Sequence, residues 1–434
     1  MASLLEIGTI LQSNTGQVLV VNGLLGCGGQ GQVYEVIIGN KRYALKWYYS
    51  SQGIKKQRDI IERLILTGSP DSRFLWPIDI VDAPNLQSFG YIMEIKGIEY
   101  RSMSEIVEKK AELTFRTLCN AAINLVDSYL KLHSKGLCYR DISLGNIFIN
   151  PQSGDILICD NDNVAVTGTS ELSVLGTHRF MAPEIVRGEA VPSTETDLFS
   201  LATLLFYMFM FHHPLEGKAS VNVDTRNINV GREIYGDKPL FIWDENDFSN
   251  RPVFGYHINA LIYWDIYPQF IRELFIKAFT KGLFDPKCRL LEVEWRRGFI
   301  KLRDSILYCK NCGAENFYDA LRIKNGEQHR CWYCKGKISI PPRIKVNDNV
   351  ILLNLNSRIY SHHIKEDLNF NKVIGEVTAN PKNKDILGIK NLSENPWKVL
   401  KVNGDEVKLD KDRTMMLTSI RKIDFGSEIG ELKL

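Results

Sequence analysis

Between Leu137 and Asp162 the chain reads LCYRDISLGNIFINPQSGDILICDND, a stretch that very few folds can accommodate. Tyr139-Arg140-Asp141 is followed, five residues after the aspartate, by Asn146. The apolar triplet Ile147-Phe148-Ile149 predicts a short strand, Gly154 a turn, and Ile156 to Cys159 a returning strand that ends at Asp160. The stretch thus reads as a loop, a two-stranded ribbon and a second turn. Its polar residues suit phosphoryl transfer, which needs one carboxylate to orient an attacking hydroxyl and two metal ligands beneath the phosphates. Asp141 would do the first job, Asn146 and Asp160 the second.

The chain before it supplies a phosphate cradle. Residues 18 to 49 alternate as strands around Gly26-Cys27-Gly28-Gly29-Gln30-Gly31, with Val33 to Ile38 and Arg42 to Trp47 to follow. A lone G-x-G-x-x-G says little, because dinucleotide-binding folds use the same spacing to open a helix. Here a strand follows it, and that order resembles the protein kinases, whose glycine loop lies over ATP. The resemblance runs from about residue 15 to 305. Ala44-Leu45-Lys46 is similar to the V-A-I-K lysine that grips the α- and β-phosphates, and the 137–162 stretch to the H-R-D-x-x-x-x-N and D-F-G motifs.

The resemblance implies roles for further residues. Glu62, on a helix predicted over 52–67, is expected to pair with Lys46, with Asp59 one turn away as its competitor. Gly26, Gly28, Gly31, Val33, Ala44, Met93 as gatekeeper, Glu94, Lys96 and Phe148 would surround the nucleotide. Asn146 and Asp160 would hold Mg²⁺. Thr177 in Gly176-Thr177-His178-Arg179-Phe180-Met181-Ala182-Pro183-Glu184 belongs to the substrate ledge beside Asp141. Asp197 would hold the catalytic-loop backbone, and Arg289 would pair with Glu184. Arg140 would receive a phosphate from Thr167, Thr169, Ser170 or Ser173. An aromatic-rich stretch around Pro239 to Trp243 and Ser249 to Pro252 reads as an elaborated loop.

Two positions depart from the family. D-F-G is Asp160-Asn161-Asp162, which keeps the metal ligand but loses the apolar Phe and the Gly; Tyr139 stands where the family has His and is placed to fill part of that gap. Ser143 replaces the lysine two residues after the catalytic aspartate. Both support a rival reading, a pseudokinase scaffold that holds nucleotide without turnover.

Cys309-Lys310-Asn311-Cys312 and Cys331-Trp332-Tyr333-Cys334 are two C-x-x-C pairs, a spacing that aims four thiolates at one tetrahedral Zn²⁺ and leaves no open position for chemistry. Pro341-Pro342 marks a linker. Residues 345 to 434 alternate as short strands (350–355, 373–377, 397–402, 406–409), the pattern of a small all-β sandwich. His362 and His363 read as strand or surface residues rather than ligands.

The fold class expected is therefore α+β: a two-lobed kinase-like domain at 1–305 (N-lobe to about 95), a zinc ribbon at 306–340 and a β-sandwich-like domain at 341–434. The function expected is ATP- and Mg²⁺-dependent phosphorylation of serine or threonine on a protein substrate. The added zinc module and the insert also resemble bacterial eukaryotic-like kinases of the tellurite-resistance-associated type, which implies a cognate phosphatase and a von Willebrand A-type protein as partners. A zinc-ribbon nucleic-acid adaptor is a third reading, but a net charge of +3 over 434 residues gives no basic surplus for it. The longest apolar run, Leu198 to Phe211, is too short to span a bilayer. No basic-then-apolar signal opens the chain, and nine cysteines then suit thiols or metal ligands in a cytoplasmic setting.

Overall fold

The computed structural model describes residues 3–434 except 84–85, 87, 109, 170–175, 348 and 366–371. The chain divides into two compact units, Met1–Asp265 with Phe270–Ile300, and Ile266–Gln269 with Lys301–Leu434.

The first unit begins with six strands: β1 (Ile10–Ser13), β2 (Val18–Cys27), β3 (Gly31–Ile38), β4 (Lys41–Tyr48), β5 (Asp79–Asp82) and β6 (Phe89–Glu94). They close into an antiparallel barrel in the order β1-β2-β3-β4-β6-β5. Alternation fills it: Leu19, Val21, Tyr34, Val36, Leu45, Trp47, Val81 and Ile92 form its interior. The β2–β3 register runs to Cys27 opposite Gln32, which leaves the glycine loop as the hairpin end, closed by Gly28 N–H donating to Gly31 C=O at 2.8 Å. Gly31 is obligatory, since a Cβ there would lie 2.1 Å from the Trp47 carbonyl oxygen.

Helix α1 (Lys55–Thr67) packs Gln57, Ile60, Ile61 and Leu64 inward. These are i, i+3, i+4 and i+7, the single buried stripe of a surface helix. Helix α2 (Met103–Val107) opens on a capping box at Ser102 and Glu105. Helix α3 (Phe115–Ser134), capped by Thr114, runs to the catalytic stretch. There a bridge pair β7 (Arg101–Ser102), a short β8 (Leu137–Cys138) and the ribbon β9 (Ile147–Ile149) and β10 (Ile156–Ile158) set the loop spacing, with Ile147 opposite Ile158.

Helix α4 (Pro183–Arg187) follows the activation segment, and α5 (Thr194–Met210) is buried at nearly every position from Thr196 to Met210. A helix apolar all round must lie inside a domain. The aromatic stretch around residue 241 is a loop without helix or strand, as expected, but a buried one. Phe241 and Ile242 are fully buried, Phe241 packs on Phe206 and Phe279, and Trp243 stacks on Trp264 with centroids 5.2 Å apart. Five consecutive residues contribute that much apolar surface, and only a core can take it.

In the second unit a two-stranded ribbon (Ile306–Tyr308 with Glu315–Phe317) leads to a short helix at Ala320–Lys324. Ten further strands form a six-stranded and a four-stranded sheet. Both give side chains to one core, Ile344, Trp397, Val399 and Ile423 from the first and Ile359, Val377 and Ile389 from the second. No helix among the described residues is long and apolar enough to cross a membrane.

Candidate active site

The catalytic loop is held from below. The Asp197 carboxylate, buried at the start of α5, accepts from the backbone N–H of Tyr139 and of Arg140, the latter at 3.0 Å. Arg140 takes a positive φ of 75° to make that turn, a conformation unusual for a non-glycine residue and characteristic of a constrained site. On the upper side, Thr177 donates to Asp141 Oδ1 at 2.7 Å. Asn146 Nδ2 donates to the Asp141 carbonyl at 2.8 Å and to its Oδ2 at 3.3 Å. With its nitrogen spent on Asp141, the Asn146 amide oxygen remains as its free acceptor among the described residues. Glu184 and Arg289 form a bidentate pair at 2.8 and 2.9 Å beneath the segment.

Lys46 does not meet Glu62. Glu62 lies on the solvent side of α1, bonded to Arg58 at 3.1 Å, and Arg58 is in turn paired with Asp82 at 2.6 Å. The reason is helical phase. Positions 57, 60, 61 and 64 face the core, and 62 and 66 face away, with Leu66 86% exposed. Lys46 Nζ instead lies 2.8 Å from Asp162 Oδ2 and 3.4 Å from Asp160 Oδ1, and donates to Gln30 Oε1 at 3.0 Å. Burial opposes the charge on Lys46, but Asp162 and then Asp160 outweigh it and hold the ammonium above the ordinary lysine range.

The turn Asp160-Asn161-Asp162 is fixed by polar contacts where the family uses an apolar ring. Asn161 is fully buried, and its Nδ2 donates to the carbonyls of Leu75 (2.8 Å) and Ile158 (3.0 Å). Tyr139 OH donates to the Cys159 carbonyl. Tyr48 OH donates to Asp162 Oδ2, while Gln57 Nε2 donates to the Asp162 carbonyl at 3.1 Å and to Tyr48 OH at 3.3 Å. Asp160 takes the left-handed conformation at φ 53°. Burial pushes its carboxyl up, Lys46 pulls it back, and Asp162 adds to the rise.

The positions expected around a nucleotide fall on the barrel and ribbon. Val33 lies opposite Lys46, and Ala44 opposite a buried Met93 at the end of β6. Glu94 is exposed, and Lys96 sits over the Phe148 ring at 5.0 Å. A Cβ on Gly26 would meet nothing within 4 Å, and one on Gly28 only the Gly31 carbonyl at 3.9 Å. The loop there is open.

Arg140 also reaches the activation segment, donating to the Thr169 carbonyl at 2.7 Å and its hydroxyl at 3.2 Å. Thr167 accepts from the Thr194 backbone at 3.0 Å. Ser170 and Ser173 lie outside the described residues.

In the second unit the sulfurs of Cys309, Cys312, Cys331 and Cys334 gather with every pair within 4.8 Å. Two matching knuckles build the cluster. Gly313 N–H donates to Cys309 C=O (2.8 Å) and Lys335 N–H to Cys331 C=O (2.9 Å). Asp304, His362 and His363 also cluster, and the histidines are neither in a strand nor exposed. They serve a hydrogen-bond network. His363 Nδ1 accepts from the Tyr360 backbone at 3.1 Å, so its Nε2 carries the proton that points 2.8 Å to Asp304. Arg303 holds the same carboxylate at 3.1 Å. A cation would have to displace that proton beside a guanidinium.

A six-stranded barrel with a glycine hairpin, a helical lobe, and Lys46, Asp141, Asn146 and Asp160 set around one turn define a phosphotransferase architecture of the kinase class. The protein kinase domain family matches residues 19–254, more than half of the 434 residues, and the chain belongs to that family. Over 200 residues it is 24% identical to the probable serine/threonine-protein kinase CCRP1 of Zea mays, covering 44% of this chain and 31% of the relative. Over 145 residues it is 28% identical to the probable serine/threonine-protein kinase PknB of Bifidobacterium longum, covering 32% of this chain and 20% of the relative. The chain thus spans less than a third of either relative's length.

Proposed function

We propose that this chain is an ATP- and Mg²⁺-dependent protein kinase that phosphorylates serine or threonine on a partner protein. One observation carries the reading: Asp141 is locked by Thr177 and Asn146, its charge acts on Asp160, and Asp160 in turn meets Lys46. The names of the relatives, serine/threonine-protein kinases, favour that substrate class.

The residues fit the groups the reaction needs. The open loop at Gly26 and Gly28 accommodates phosphates, and Lys46 exchanges Gln30 for their oxygens. Asp160 and the Asn146 amide oxygen would hold Mg²⁺, which when bound neutralises charge developing on the transferred phosphate. An excess of negative charge awaits that cation, since Asp160 and Asp162 share a single lysine. Asp141 orients the hydroxyl and accepts its proton. With this reading go a structural Zn²⁺ on the four cysteines, partner capture by residues 306–434, a cytoplasmic setting, and the phosphatase and von Willebrand A-type partners of the narrower resemblance.

The test is transfer from radiolabelled ATP by the purified full chain. Lys46→Ala, Asp141→Asn and Asp160→Ala should each lower the rate at least a hundredfold, because these groups act as one unit. Equal labelling by all three variants would refute the assignment. The pseudokinase reading is favoured by Ser143, which supplies no charge to the phosphate. It wins if wild type binds ATP and transfers nothing.

A further inference from the structure

The helix carboxylate that the family resemblance leads one to expect is missing from the site, and a different one stands there. Glu62 is half exposed and engaged with Arg58. The helix position that does turn inward is Gln57, a neutral amide. We propose that Asp162 is the positioning residue for Lys46, so that the turn carrying the metal ligand Asp160 also holds the phosphate-gripping lysine. This rests on reading the site as a nucleotide site.

The geometry makes the pair a fixed one. Asp162 is fully buried and Lys46 is 5% exposed. Asp162 Oδ2 is 2.8 Å from Lys46 Nζ and also receives the Tyr48 hydroxyl, while its Oδ1 is buried without a hydrogen-bond partner. A carboxylate with no edge to water depends on its ion-pair partner, and the lysine depends on it in return. Asp160 is the weaker candidate. It stands further off at 3.4 Å, its side chain is 44% exposed, and it is the group a cation would claim. Once a cation takes Asp160, Lys46 still has Asp162. Among the groups packed around the pair, α1 contributes only the Gln57 amide, through the Asp162 carbonyl and Tyr48 OH. In a kinase with a helix carboxylate, the helix must be in place before the lysine is. Here the turn supplies both carboxylates that meet the lysine, the Gln30 amide oxygen is its neutral partner, and α1 supports the turn through neutral hydrogen bonds.

Two measurements on the full chain test this. Trace acetylation of the nucleotide-free protein, read by mass spectrometry, reports how well Lys46 is protected relative to the other lysines. Titration with MgATP reports whether the lysine is correctly placed. Asp162→Asn should raise Lys46 acetylation at least fivefold and weaken MgATP at least tenfold, while Glu62→Ala changes neither by more than twofold. Gln57→Glu/Asp162→Gly returns a carboxylate to the helix and should recover most of both losses, a rescue that a merely structural Asp162 would not allow. A folded Asp162→Asn protein with unchanged Lys46 reactivity overturns the proposal, as does Glu62→Ala that exposes Lys46. If Asp162→Asn does not fold, Glu62→Ala decides: kept protection supports the proposal, lost protection overturns it. Should wild type bind no MgATP, the nucleotide reading fails, and the acetylation arm still decides the partner of Lys46.

Discussion

At the scale of single residues, His133 shows how a buried charge is used as a fastener. Its Nδ1 faces Glu292 and its Nε2 faces Asp197 at 3.2 Å, so both ring nitrogens have carboxylate partners. Burial alone would lower its pKa. The hydrogen bonds of Asp197 and then Glu292 outweigh it and raise the value from 6.5 to about 9. A raised folded pKa stabilises the protein fully below the unfolded value, and the gain is lost as pH climbs through the folded one. We therefore expect stability in urea to be highest at or below about pH 6.5 and to fall by on the order of 3 kcal/mol towards pH 9 from this group. His133→Gln should abolish that slope, and a variant with the wild-type slope would remove His133 as its source. Asp197 carries the backbone of the Tyr139–Asp141 loop, so activity of the folded protein should hold to about pH 8 and decline only as the pH passes about 9. The same scale shows what sequence could reveal. Lys46, Asp141, Asn146 and Asp160 could be placed from motif spacing on β4 and around the β9–β10 ribbon, and Thr177 from the motif that leads into α4. The partner of Lys46 was not, because it depends on the phase of α1. A shift of one residue, from Ile61 to Glu62, turns a position about 100° from the buried stripe. The signal that could have found Asp162 was present, an acid where the family places glycine.

At the scale of elements, the turn at Asp160–Asp162 and the segment after it as far as Thr169 are set by polar contacts. Asn161 ties its turn to Leu75 and Ile158 through the amide, which gives a fixed turn without the apolar ring of the family. Arg140 is more revealing. It is 4% exposed, and its Nε and one terminal nitrogen are buried without acceptors, while the other terminal nitrogen reaches Thr169. A buried guanidinium with unused donors is costly. A phosphate on Thr169 would supply the acceptors. We expect mass spectrometry of active protein to find phosphate at Thr169, and Thr169→Ala to lower activity roughly tenfold with ATP affinity nearly unchanged. Active protein carrying no phosphate from 163 to 176 would show that activity does not depend on a phosphate switch there. Element boundaries were legible where punctuation was strong, as at Gly154 between β9 and β10. The strands at Arg343–Val346, Asn383–Asn391, Ile420–Asp424 and Ile429–Lys433 were not, since charged residues on their open faces break the apolar count. The buried role of Phe241 and Ile242 escaped for the opposite reason: a short apolar run without period does not say which core it enters.

At the scale of the whole molecule, the chain interleaves two units, because Ile266–Gln269 belongs with Lys301–Leu434. A truncation after residue 304 would therefore strip that segment of its surroundings, and metal removal from the intact chain is the cleaner experiment. Cys309 and Cys331 are buried in one cluster with Leu307, Ile338 and Leu352. The two sulfurs thus sit within apolar packing that includes Leu352, a strand residue of the six-stranded sheet. Four thiolates at one point repel each other unless a cation joins them, and in small ribbons binding that cation is a large part of the folding energy. The catalytic constellation lies wholly in the first unit, with Lys46, Asp141, Asn146, Asp160 and Asp162 all before residue 266. We expect the purified chain to hold one zinc, released by Cys309→Ser/Cys312→Ser or by strong chelation. Release should lower a second, separable thermal transition by more than 10 °C, leave MgATP affinity within about twofold, and abolish stable capture of the cognate protein substrate. Loss of MgATP binding in a chelated but folded protein would mean that the second unit helps to build the nucleotide site. Unchanged melting after zinc release would mean that the packing of Leu307, Ile338 and Leu352 holds the ribbon without the metal.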